Sequence, residues 1–201
     1  MAYPFIVLEG IDGCGKTKQA QELLHLLRRR RLPVAAHKYP SVGAKVVQDH
    51  LQGRHKLEPD ALFAAFVDDL QAHQAALAKD RERAWVIADR YCISTAAYQG
   101  TDGRLEERVE QLGKYEWVRP DLVLWLDLAP EEAMKRKAAQ KNPDRHEADR
   151  AFLESVRANF GSLYRMRFLC SNYRRIDAAE EPKKVAAAIR ERRPTMPILF
   201  V

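Results

Sequence analysis

The stretch that most constrains this chain is LEGIDGCGKTKQ, residues 8 to 19, which follows directly on the apolar run Phe5-Ile6-Val7-Leu8. Gly10, Gly15, Lys16 and Thr17 satisfy the spacing G-x-x-x-x-G-K-[ST]. Glycines allow a backbone to curl until successive N–H groups point inward, and a helix starting just beyond adds the positive end of its dipole. The result is a cradle for phosphate oxygens, here formed by Gly10, Ile11, Asp12, Gly13, Cys14, Gly15, Lys16, Thr17 and Lys18. Lys16 adds a full charge aimed at the outer phosphates, and the Thr17 hydroxyl suits a Mg²⁺ shell. A plain glycine-rich turn is the alternative. A strand before the loop and a helical pattern after it favour the phosphate reading.

The rest of the chain reads as alternating strands and helices. Residues 5–8 form a buried strand, and residues 17–31 a helix with Ala20, Leu23, Leu24 and Leu27 on one face. A second strand spans 32–37 and ends at Tyr39-Pro40, and a short helix spans 42–51. Pro59 opens a long helix to about residue 80, because Leu62, Phe63, Phe66, Val67, Leu70 and Leu77 recur at three- and four-residue steps. Strands at 84–89 and 121–127 flank helices from about Ser94 and over 104–116. Pro130 starts a helix, and another runs to about Cys170 with Phe152, Val156, Phe160, Leu163 and Tyr164 as its stripe. YRRIDA is a fifth strand, and Glu181-Pro182 opens the last helix. Connections this long exclude hairpins and imply an α/β fold, a five-stranded parallel sheet with helices on both faces. Right-handed crossovers gather the strand C-termini on one rim, where ligands bind. The glycine loop, Tyr39-Pro40, Asp89-Arg90-Tyr91 and Asp127 all fall there.

With 201 residues the chain suits a single domain, residues 1–201. No apolar run is long enough to span a membrane, and the N-terminus lacks a secretion-signal pattern, so no membrane partner is expected. Three scattered cysteines, Cys14, Cys92 and Cys170, point to a reducing, cytoplasmic setting. The net charge of +6 fits either nucleic acid or a site gathering phosphates. Arg28 to Arg31 fall where the first helix ends, where cations complement the dipole, so a solvated helix end is the reading and nucleic acid is not expected as a partner.

No N-K-x-D guanine-reading motif follows a later strand, which argues against a switch GTPase, and the length argues against a nucleic-acid motor. A small phosphotransferase remains. At this point LEGIDGCGKT, DRYCISTAAYQG (89–100), RPDLVLWLDLAPEEAMKR (119–136) and DRHEADRAFLESVR (144–157), in that order, resemble the thymidylate kinase family of P-loop nucleoside monophosphate kinases.

The resemblance covers nearly the whole chain. It implies transfer of a phosphoryl group from ATP to dTMP, with Mg²⁺, in a P-loop kinase fold with a short mobile lid at about 137–149. Asp12, otherwise a polar turn residue, would lie near the sugar and the transferring group. Arg90 would hold the acceptor phosphate and Asp89 would reach the Mg²⁺ shell with Thr17; a surface ion pair between the two is the alternative. Tyr98 would crowd the sugar's 2′ position or serve as core. Ser94, Thr95 and Gln99 would touch sugar and base, beside Tyr39. Phe63 would stack on thymine or simply fill the core. Arg136 resembles the family arginine against adenine, unless it only pairs with Glu132 as Glu131 would with Lys135. Arg145 and Glu147 resemble a lid signature; with Gly13 in the loop, Arg145 would be the transition-state arginine, with Arg150 in reserve. The resemblance also implies a homodimer through the helices at 42–52 and 59–80.

The chain departs from the family at Val67, where an arginine that bonds thymine is usual, at Ser41 after Tyr39-Pro40, and at Lys18, which touches ATP or faces solvent. Val67 leaves the base open. A kinase for another nucleotide, or a non-catalytic nucleotide- or nucleic-acid-binding relative, is therefore the alternative.

Overall fold

The computed structural model describes residues 2–138 and 150–191. The order of elements is β1 (Phe5–Glu9), α1 (Lys16–Arg29), β2 (Val34–Lys38), α2 (Lys45–Leu51), α3 (Pro59–Ala72), α4 (Gln74–Arg83), β3 (Trp85–Asp89), α5 (Cys92–Gln99), α6 (Leu105–Leu112), β4 (Leu122–Asp127), α7 (Pro130–Ala138), α8 (Arg150–Met166), β5 (Tyr173–Asp177) and α9 (Pro182–Arg190). The five strands form one parallel sheet in the order β2-β3-β1-β4-β5, as the pattern of strands and long crossovers required.

Burial follows from that order. Phe5, Ile6, Val7 and Leu8 of the central strand are each fully buried, and neighbouring residues of a strand point to opposite faces, so helices cover the sheet on both sides. β2 lies at an edge and is half exposed. α1 packs with α9, while α3, α6 and α8 pack against α5. Leu23, Leu24 and Leu27 of α1, and Val156, Phe160 and Leu163 of α8, enter the core as their spacing implied.

Besides shifts at helix ends such as α6 stopping at Leu112 rather than near residue 116, two helices depart from expectation for a visible reason. The stretch from Pro59 is interrupted at His73, where the Gln74 side chain donates back to the Leu70 carbonyl and accepts from Tyr91 Oη and Val118 N. No proline or glycine marks that break; a tertiary contact makes it. α8 stops at Met166 rather than near Cys170, because Arg167 and Leu169 both adopt left-handed backbone angles. Arg28 and Arg29 are exposed in the last turn of α1, matching the helix-end reading. Among the described residues no helix is long and apolar enough to cross a membrane.

Candidate active site

The strand ends of β1, β3 and β4 meet at one rim, and the glycine loop lies across it. Gly10 has φ 140°, and a Cβ there would collide with the Leu126 carbonyl oxygen of β4. A Cβ on Gly13, at φ 83°, would stand 2.8 Å from the Ala133 carbonyl oxygen of α7. The loop is thus wedged between β4 and α7, and only glycine fits these two positions. Ile11 and Cys14 are buried beneath it, Gly15 caps α1 in the left-handed conformation, and Lys18 is exposed.

Lys16 is 5% exposed, and its ammonium donates to the carbonyls of Gly10 at 2.9 Å and Ile11 at 2.8 Å. It also stands 3.5 Å from the Asp12 carboxylate. Burial pulls its pKa down, but the surrounding groups, Cys14, Tyr98, Asp89 and Glu9, more than reverse this, so the ammonium stays charged. Next to it the Thr17 hydroxyl donates to Asp89 Oδ2 at 2.5 Å, and Lys38 lies 3.9 Å from the same oxygen. A hydroxyl beside a carboxylate fits Mg²⁺, which takes few protein ligands and completes its shell with water and phosphate oxygens.

The other side of the rim is built around Arg90, which sits just past β3 at φ 72°, a conformation unusual for a non-glycine residue. Its backbone N–H donates to the Leu8 carbonyl at 3.0 Å. Its guanidinium pairs with Asp12 and lies 5.0 Å from the Tyr98 ring centroid. The Tyr98 hydroxyl in turn accepts from the Asp12 backbone N–H at 3.0 Å. Asp89 and Arg90 therefore do not pair with each other: Asp89 turns to Thr17 and Arg90 to Asp12.

A cavity of ≈ 520 Å³ opens in front of this cluster. Asp12, Tyr39, Arg90, Ser94, Thr95, Tyr98 and Gln99 line it, and Leu62, Phe66 and Phe152 add apolar wall. Burial, with the field of Asp69, pushes the Tyr39 phenol well up, so it stays protonated.

Phe63 is not among the lining residues. It is buried against Arg108, whose guanidinium carbon stands 4.4 Å from its ring centroid. The face of α3 toward the cavity is Leu62, Phe66, Asp69 and Leu70, so Phe66 meets the cavity and Phe63 does not. The apolar stripe identified both rings as inward, but a helix turns about 100° per residue, and only the neighbouring helices decide which side of the stripe meets a cavity. Val67 lies on the Phe63 side and is equally absent from the wall. The departure at Val67 thus concerns the core.

Three further residues were given no site role by the sequence reading. Glu9 is fully buried at the end of β1, and its carboxylate is pushed up to about 7, chiefly by burial. A carboxylate closing an otherwise apolar strand was the available signal. Asp69 accepts from Ser41 N at 2.8 Å and Ser41 Oγ at 2.5 Å, tying the loop after Tyr39-Pro40 to α3. Phe152 reaches the cavity from α8. Asp69 shares α3 with Phe66 and Leu70, whereas Phe152 comes from a helix far along the chain.

Beyond β4, Arg136 on α7 pairs with Glu132 at 3.2 Å and donates to the carbonyls of Ala178 at 2.9 Å and Ala179 at 3.1 Å, bridging α7 to the loop after β5. Glu131 pairs with Arg150 rather than with Lys135. Arg145, Glu147 and nearly all of the expected lid at 137–149 lie outside the described residues.

A phosphate cradle and an arginine facing each other across the rim, with a nucleotide-sized cavity beside them, define a P-loop phosphotransferase of the nucleoside monophosphate kinase class. The thymidylate kinase family model matches residues 8–189. A thymidylate kinase of Synechococcus sp. (strain CC9605) is 36% identical, over 92% of this chain and 94% of its own length. One from Cupriavidus taiwanensis is also 36% identical, over 92% and 98%. The solved thymidylate kinase of Candida albicans shares the fold, with TM-score 0.77 at 23% identity over 94% of this chain and 89% of that one. This chain belongs to the thymidylate kinase family.

Proposed function

We propose that the chain transfers the γ-phosphoryl group of ATP to dTMP, giving dTDP, by direct in-line displacement. The observation that carries this reading is the meeting of Asp12 and Arg90 between the glycine loop and the cavity. Donor phosphates would rest on the amides of residues 10–17, with Lys16 turning from the Gly10 and Ile11 carbonyls toward them. Thr17 and Asp89 would hold Mg²⁺, which when bound neutralises charge on the phosphate oxygens. Arg90 would grip the acceptor phosphate in a bidentate fork, with Asp12 as its partner until substrate arrives.

The acceptor phosphate is already anionic near neutral pH, so no general base is needed; positioning and charge neutralisation supply the catalysis. Tyr98 would crowd the sugar's 2′ position, with Tyr39, Ser94, Thr95 and Gln99 along sugar and base, and Phe66 would offer its ring to the base. Arg136, held in plane by carbonyls, would present a guanidinium face to adenine, and Arg145 would supply the transition-state arginine. Val42 and Val46, 99% and 54% exposed, would be covered in a homodimer formed by α2 and α3. The setting would be the cytoplasm.

The test is a coupled assay with ATP, Mg²⁺ and a panel of monophosphates. Preference for dTMP over dUMP, dCMP, dGMP and UMP is the expected result. Equal or greater kcat/KM for another monophosphate would reject dTMP as the substrate, and binding without transfer to any would reject the kinase reading.

A further inference from the structure

We propose that Glu9 is a positioning residue for the acceptor phosphate, acting on Arg90 through Ser94. This rests on the reading of Arg90 above. Glu9 is the last residue of β1, fully buried, one step ahead of the glycine loop. Its Oε1 accepts from the backbone N–H groups of Tyr91 at 2.9 Å and Ser94 at 3.3 Å. Its Oε2 accepts from the Ser94 hydroxyl. Ser94 Oγ receives Arg90 Nη1 at 3.4 Å, and the other end of that guanidinium pairs with Asp12.

These contacts do two separable things. The first is capping. α5 has Tyr91 as its N-cap with no side-chain cap hydrogen bond, and Glu9, from a neighbouring strand, supplies an acceptor for the Tyr91 amide and a second one for the Ser94 amide, which also donates to the Tyr91 carbonyl at 3.0 Å. The second is polarity. With Glu9 ionised, the Ser94 hydroxyl donates its hydrogen bond to the carboxylate, and the Ser94 oxygen presents its lone pairs to Arg90. A neutral cap would serve the first purpose at less cost, since burying a carboxylate is expensive. The second purpose needs an acceptor opposite Ser94. It also helps to hold Arg90 in its left-handed backbone conformation, which persists only where its surroundings dictate it. One side chain thereby couples the strand that carries the donor-phosphate loop to the arginine of the acceptor phosphate.

Glu9→Gln separates the two roles. Its amide oxygen can still accept from Tyr91 N and Ser94 N, but its NH₂ presents a donor to Ser94 Oγ and opposes the donation from Arg90. With dTMP and ATP varied in turn, the expected result is a rise in KM for dTMP of about tenfold, the usual size for a lost buried hydrogen bond to a charged group. KM for ATP should stay within about twofold, since the loop amides are untouched. Ser94→Ala alone should also raise KM for dTMP, and the double variant should lose less than the product of the two single losses, because the two side chains share one contact. Thermal unfolding of each variant checks that the fold persists. Wild-type kinetics in Glu9→Gln, or equal rises in both KM values, would overturn the proposal and leave Glu9 as a cap alone. Arg90→Lys, run alongside, tests the underlying reading: an unchanged KM for dTMP there means that Arg90 itself does not hold the acceptor.

Discussion

Glu9→Gln also makes a thermodynamic prediction that needs no substrate. In the folded chain the Glu9 carboxyl is raised from an ordinary 4.5 to about 7, with burial as the first cause. The Ser94 hydroxyl, the Arg90 guanidinium, the Lys16 ammonium of α1 and the Tyr91 amide oppose that rise without cancelling it. Tyr173 of β5 and Cys92 of α5 also face it, both held neutral by burial. A carboxyl whose folded pKa lies above its unfolded pKa favours folding while protonated. Its contribution is fully present below 4.5 and disappears as the pH rises through about 7. Between about pH 5 and about pH 8 this residue alone should remove about 2–3 kcal/mol of stability, at about 1.4 kcal/mol per pH unit.

Glutamine is nearly isosteric and does not titrate. The difference in unfolding free energy between the wild-type chain and Glu9→Gln, from urea melts at the two pH values, should therefore shift by that amount in favour of the variant at the higher pH. All other titrating groups cancel in the comparison. A constant difference across the range would mean that burial does not control this carboxyl, and the desolvation argument would fail.

Lys16→Ala should reduce phosphoryl transfer by roughly a hundredfold or more, the scale for removing a preorganised charge from a reacting centre, while circular dichroism reports an intact fold. Phe66→Ala should raise KM for dTMP by about tenfold with a modest change in stability, the scale of lost aromatic stacking and burial. Phe63→Ala should instead lower stability by about 3–5 kcal/mol in urea melts, as a buried ring lost from a packed core does; the reverse pattern would put Phe63 at the base. Arg145→Ala should lower kcat more than it raises KM for dTMP in steady-state kinetics; a change confined to KM would remove Arg145 from the transition state.

Much of this protein was legible along the chain because the relevant physics is local. The apolar run into Gly10–Thr17 signals strand, turn and helix within a dozen residues, and strands separated by long helical patterns leave a parallel sheet as the solution. The break at His73 and the left-handed ending of α8 were hidden, because side chains distant in sequence or local backbone strain cause them.

The pairing partners were decided in three dimensions. Asp12 and Arg90 are each visible as charged residues beside strand ends, yet only the β3-β1 neighbourhood turns Arg90 to Asp12 and leaves Asp89 for Thr17. The choice between Phe63 and Phe66 is of the same kind. Hydrophobic periodicity says that both rings leave solvent, since burial depends on which stripe of a helix is apolar. Whether a ring then meets Arg108 or an open cavity depends on how α3 sits against α5 and α6, a relation among helices that no stretch of residues encodes alone.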